Sequence, residues 1–125
     1  MNNWISYMEQ YRSNKTLYEK LTSSKSSSFG EAHMNGDERL RLAQRLERSV
    51  REAEYRLEHY VGENLKPSEA AKQADEKLFL SYRYVYGMTM VETAYAMSVS
   101  RDTVYRIRRR ILARRFPYDT ASEAC

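Results

Sequence analysis

The chain has 125 residues, of which 42% are hydrophobic and 30% are charged, and it contains only four glycines and two prolines. A length of this order fits one domain, or a small domain with a helical appendage, around a core of limited size. Long stretches without a breaking residue favour helices over the many short strands of a sandwich or barrel. We therefore expect an all-α protein.

Residues that carry chemistry are sparse. The single cysteine, Cys125, excludes an internal disulfide, and the two histidines, His33 and His59, have no cysteine partners at a metal-ligand spacing. No nucleophile-base-acid set, paired-carboxylate pocket or glycine-rich phosphate loop is visible in the sequence. We expect no catalytic residue, no metal and no cofactor, and a protein that is not an enzyme.

The sequence carries no export or membrane signal. Its first ten residues, MNNWISYMEQ, lack the basic and then apolar regions of a secretion signal. No stretch approaches the roughly 18 consecutive apolar residues that a membrane span needs. We expect a cytoplasmic protein, without a membrane partner.

The first predicted element is a helix over residues 1–22. Its large side chains recur at spacings of four, three, four and three residues, which is the period of one helix face; they are Trp4, Met8, Tyr11, Lys15 and Tyr18. From residue 23 to residue 37 the composition changes to serine, glycine and asparagine. Such a composition is typical of a flexible linker.

The second predicted helix, over residues 38–64, begins after Asp37, a good N-cap. Its apolar positions follow a heptad spacing for nearly three heptads; they are Ala43, Leu46, Val50, Ala53, Leu57 and Tyr60. This seam is compatible with packing inside the chain and with a coiled-coil homodimer through residues 38–61. The pattern does not decide between the two.

A third helix is predicted over residues 67–86, between Pro67 and Gly87. Leu78, Tyr82 and Val85 recur at helical spacing and predict its apolar face. The alternate tyrosines at positions 82, 84 and 86 point in different directions on a helix, so they cannot form one base-stacking surface. We expect them to pack in the core and at its rim.

Two short helices with matched caps follow. Thr89 and Glu92 form a Thr-x-x-Glu capping box for a helix over about residues 90–97, and Ser100 caps the next helix, over residues 101–115. Small and branched residues stand where two crossing helices and a tight turn would require them; they are Ala94, Ser98, Val104, Ile107 and Ile111. This spacing predicts a helix-turn-helix within a DNA-binding domain at residues 67–116, followed by a tail at 117–125.

The positive charge of the chain is concentrated on the second of these helices. Residues 101–115 hold seven arginines and one acid, a net charge of +6, whereas the whole chain carries +4. Arginine, a short carboxylate and hydroxyls suit major-groove recognition. The side chains expected to read bases are Arg101, Asp102, Thr103, Tyr105 and Arg106. Those expected to contact phosphate are Thr89, Ser100, Arg108, Arg109, Arg110 and Arg114.

The segment 76–112, EKLFLSYRYVYGMTMVETAYAMSVSRDTVYRIRRRIL, resembles sigma-70 region 4. It is still more similar to phage transcriptional regulators of the ArpU/RinA type, whose order of parts the rest of the chain matches weakly. In region-4 domains, the helix that begins like Ser100-Arg101-Asp102 reads promoter DNA. The family commonly has glycine at position 98 and a polar residue at position 105, where this chain has Ser98 and Tyr105.

The resemblance implies a three-helix, region 4-like domain that binds double-stranded DNA, and a late-gene activator encoded by a phage or prophage. No segment like the core-binding part of a complete sigma factor is evident. Two alternatives remain open. One is a DNA-packaging protein like a terminase small subunit, and the other is a region 4-like module that contacts RNA polymerase without reading DNA.

Overall fold

The computed structural model describes residues 3–23 and 36–116, and in these ranges the protein is all-α, as predicted. The five α-helices of the described ranges are α1 (Trp4–Thr22), α2 (Gly36–Glu58), α3 (Pro67–Leu80), α4 (Met90–Met97) and α5 (Arg101–Ala113). Most of the predicted linker, 23–37, and the whole predicted tail, 117–125, lie outside the described residues. Within the described ranges, no helix combines the length and apolarity needed to cross a membrane.

Helices α1 and α2 form an antiparallel pair. At one end, the Tyr11 hydroxyl donates a hydrogen bond of 2.8 Å to Glu54, and at the other, Arg39 donates one of 3.3 Å to the carbonyl of Leu21. The central part of the heptad seam is buried within the chain; its buried members are Leu46, Val50, Ala53 and Leu57. Because α1 packs on α2, these residues are buried by packing inside the chain, which is one of the two alternatives for the seam.

The end of α3 contains a π-helical turn, Ser81–Val85, which the sequence did not predict. It is closed by hydrogen bonds of 3.0 Å from the Tyr86 amide to the Ser81 carbonyl and of 2.9 Å from the Met88 amide to the Tyr82 carbonyl. Such a turn inserts a residue into the helical period. The predicted face is correct only in part: Val85 packs partly buried against the core, but Leu78 is exposed. The fully buried residues of this stretch are Phe79, Leu80 and Tyr84.

One hydrophobic core joins all five helices. It contains Trp4 and Met8 from α1, Phe79 from α3 and the inward face of α5. Phe116, which follows α5, is buried beside Trp4, with 5.7 Å between the ring centroids. Helix α1 thus supplies part of the core on which α3, α4 and α5 pack.

Candidate nucleic-acid interface

The first helix of the candidate interface, α4, begins at the predicted capping box. The hydroxyl of Thr89 accepts a hydrogen bond of 3.1 Å from the Glu92 amide, and the Glu92 carboxylate accepts one of 2.9 Å from the Thr89 amide. Each side chain satisfies an amide that the first helical turn leaves without a backbone partner. The start of α4 is therefore fixed by residues within four positions of one another.

A tight turn joins α4 to α5. Ser98 has φ +59° and ψ +42°, in the left-handed region, and the amide of Val99 donates a hydrogen bond of 3.0 Å to the Ala94 carbonyl. Ala94 and Val104 are buried where the two helices pack together. Ser100 caps α5 by accepting a hydrogen bond of 3.2 Å from the Thr103 amide. The predicted caps and the tight turn between the two helices are thus present, and Ser98 takes a left-handed backbone conformation in that turn.

Helix α5 has an inward and an outward side. Val104, Ile107 and Ile111 are buried in the core. The outward side is exposed, and its members recur at intervals of about four residues, so they share one helix face; they are Arg101, Asp102, Tyr105, Arg106 and Arg109. This face combines three guanidinium groups, one carboxylate and one phenol.

Of the five residues predicted to read bases, Thr103 is placed differently from the others. It is half-buried, and its hydroxyl lies 2.9 Å from that of Ser100, with which it shares a hydrogen bond. Both hydroxyls therefore serve the cap of α5. The other four predicted readers lie on the exposed face, and Tyr105 is 45% exposed.

The arginines predicted to contact phosphate do not share one face. Arg109 is exposed, whereas Arg108 is half-buried. Burial raises the pKa of the Tyr84 phenol, and the positive charges of Arg83 and Arg108 oppose that rise.

Arg110 and Arg114 are engaged inside the protein. Arg110 Nε donates a hydrogen bond of 2.9 Å to the carboxylate of Glu76, and Arg114 binds the same carboxylate through Nε and, at 2.9 Å, through Nη2. Arg114 also bonds Glu69 at 2.9 Å, and Arg110 bonds the carbonyl of Lys72 at 3.2 Å. The assignment of Arg110 and Arg114 to phosphate is corrected accordingly, because their guanidinium groups are bound to α3.

Glu76 is the centre of this network, and its side chain is fully buried. A third donor, the Tyr60 hydroxyl, bonds it at 2.6 Å. Desolvation acts to raise the pKa of Glu76, but the hydrogen bonds from Arg114, Tyr60 and Arg110 outweigh it and hold that pKa below its ordinary value. Burial and the bond to Glu76 raise the pKa of Tyr60, so its phenol stays protonated as a donor.

Sequence reasoning missed Glu76, although a signal was present. Glu76 precedes Phe79 and Leu80 by three and four residues, so it lies on the apolar face of α3. A carboxylate on such a face needs a buried cationic partner, because an unpaired charge there is costly. The arginines that meet this need are 34 and 38 positions away in the sequence.

Comparison of the chain with protein-family models, with curated proteins and with solved structures gave no match. Within residues 3–23 and 36–116, no three His, Cys, Asp or Glu side chains come together in a group that could hold a metal ion.

Proposed function

We propose that this chain is a sequence-specific DNA-binding regulator of transcription that reads the major groove of double-stranded DNA with α5. The observation that carries the proposal is the outward face of α5, held on a helix whose opposite side is locked in the core. Arginine can donate two hydrogen bonds to guanine, and aspartate can accept one from cytosine. The resemblance to ArpU/RinA-type phage regulators supports a late-gene activator as the specific role.

The proposed contacts fall into two groups. Arg101, Asp102, Tyr105 and Arg106 lie in the first two turns of α5 and are assigned to base edges. Arg109, one turn further along the same exposed face, is assigned to phosphate together with the capped start of α4 at Thr89. The exposed face thus supplies both recognition and electrostatic attraction.

The test is a selection of binding sites from a pool of random duplexes with the full chain. We expect an enriched sequence motif, and we expect the affinity for the enriched duplex to fall steeply between about 50 and 200 mM salt, since each neutralised phosphate releases about one counterion. Arg106→Ala should remove the preference for that motif. The matched control is Arg48→Ala, which removes an exposed arginine of α2 and should leave the preference intact. Absence of an enriched motif, or affinity that does not change with salt, would overturn the proposal.

A second candidate function, contact with RNA polymerase, is favoured by the outer face of α4. There Val91 is 56% exposed and Tyr95 is 88% exposed, one helical turn apart. Neighbouring exposed apolar side chains commonly mark protein interaction sites. Under this function, Tyr95→Ser abolishes binding to purified RNA polymerase while Arg106→Ala leaves it unchanged. Under the first function, Arg106→Ala removes transcriptional activity at the selected site.

A further inference from the structure

The C-terminal half of α5 is held by two kinds of contact that differ in directionality. Ile107 and Ile111 pack in the core, and hydrophobic contacts of this kind impose little preferred direction. The bonds from Arg110 and Arg114 to Glu76 are charge-assisted and come from planar guanidinium groups, whose geometry fixes orientation. The bonds to Glu76 therefore add a directional restraint on the rotation and tilt of α5 to the packing of its buried side chains.

The carboxylate of Glu76 is itself held in place from a third element. Tyr60, which follows α2, donates to Oε1, while Arg110 donates to Oε2. The network connects the chain after α2, the middle of α3 and the last turns of α5. Because Glu76 has no exposed surface, its carboxylate cannot exchange these partners for water without opening the core.

We propose that Glu76 is a positioning residue for DNA reading: through Arg110 and Arg114 it sets the orientation of α5, and thereby the sequence selectivity of the face that carries Arg101 and Arg106. This inference rests on the proposed function. Base recognition by paired hydrogen bonds requires atoms placed to within about 0.5 Å. A small rotation of α5 thus weakens selective binding, while the attraction between arginines and phosphates persists.

The first experiment compares Glu76→Gln with Glu69→Gln. Both variants lose one carboxylate that binds Arg114, but the side chain of Glu69 is 38% exposed and Arg114 keeps both bonds to Glu76 without it. The readout is the ratio of affinities for the duplex enriched by selection and for the random pool, at a temperature where circular dichroism shows each variant folded. We expect this ratio to fall about tenfold or more in Glu76→Gln, the cost of one lost base contact, and to stay within about twofold in Glu69→Gln.

A second variant covers the case in which Glu76→Gln does not fold. Arg110→Lys keeps the positive charge but loses the planar fork that bonds both Glu76 and the Lys72 carbonyl. We expect it to lose selectivity while its affinity for the random pool and its salt dependence stay at the wild-type values. Unchanged selectivity in Arg110→Lys would overturn the proposal.

A measurement without DNA separates this inference from the proposed function. Hydrogen–deuterium exchange should be faster at the amides of residues 107–113 in Glu76→Gln than in Glu69→Gln, because α5 is less firmly held. Equal exchange in the two variants would overturn the positioning role even if both bind DNA. If exchange is faster in Glu76→Gln but the wild-type protein prefers no DNA sequence, the restraint of α5 by Glu76 is supported. The proposed function is then overturned.

Discussion

Ser98 adopts, at φ +59°, a backbone conformation that costs an L-residue about 1–2 kcal/mol. Glycine avoids this cost but loses about 0.5–1 kcal/mol more conformational entropy on folding. Because the first effect is the larger, we expect Ser98→Gly to raise the free energy of unfolding by roughly 0.5–1 kcal/mol. Urea denaturation followed by circular dichroism measures this change.

Ser13 provides the matched control for that substitution, because it is an exposed serine within α1. Ser13→Gly should lower the free energy of unfolding by about 0.5 kcal/mol, the difference in helix propensity. A loss of stability in both variants would contradict strain at Ser98.

The pH dependence of stability is a second prediction at the residue scale. The pKa of Glu76 is lower in the folded protein than its ordinary value of 4.5, because hydrogen bonds from Arg114, Tyr60 and Arg110 outweigh desolvation. A group whose pKa is lowered on folding contributes stability above its unfolded pKa, and that contribution is lost as the pH falls through the folded pKa. We expect the wild-type Tm to fall more steeply than that of Glu76→Gln as the pH is lowered from about 5 to about 3. If the two proteins lose Tm in parallel as the pH falls, Glu76 is excluded as the source of the pH dependence.

At the scale of elements, the arginines of α5 and of the residue that caps it differ in whether they are exposed or bound inside the protein. Arg109 is on the exposed face, whereas Arg114 is bound to Glu76 and Glu69. Arg109→Gln should reduce the slope of log affinity against log salt by about one, as the loss of one phosphate contact does. Arg114→Gln should leave the slope close to the wild-type value and lower the stability of the protein. Fluorescence anisotropy titrations at several salt concentrations measure the slopes, and equal slopes for both variants would contradict this division.

Local signals explain which elements the sequence predicted well. Helix α4 has the predicted bounds because Thr89, Glu92 and Ser98 determine its ends through contacts within a few residues. The buried stripe of α5 follows in the same way from helical period. These features depend on helix caps and on the spacing of apolar side chains, and both signals lie within about ten residues of the chain.

Long-range partners explain what the sequence did not predict. Helix α1 packs against the π-helical turn after α3. Its Arg12 donates hydrogen bonds to the carbonyls of Tyr84 and Val85, which lie more than 70 positions away in the sequence. Glu76 likewise depends on Arg110 and Arg114. Composition and period describe one segment at a time, so they assigned these arginines to DNA and left the carboxylate unassigned.

At the scale of the whole molecule, α1 is part of the core that supports the candidate interface. Trp4, Ile5, Met8 and Tyr11 are buried in the same cluster as Phe79 and Ile107. A chain of residues 61–125 lacks α1 and α2, so the apolar core surface that those helices cover would be exposed to water. This exposure costs about 25 cal/mol of folding free energy for each Å². We expect this shortened chain to be largely unfolded by circular dichroism and to lose selective DNA binding. A shortened chain with a cooperative thermal transition and wild-type selectivity would contradict the single core.

The contact between Trp4 and Phe116 also has a consequence for synthesis on the ribosome. These rings lie 5.7 Å apart although 111 residues separate them in the chain. Helix α1 is translated before the other four helices and packs fully only when the segment after α5 is present, so the last steps of folding follow the translation of residue 116. Contacts of such sequence separation slow folding, and nascent chains therefore complete this core only after residue 116 has been translated.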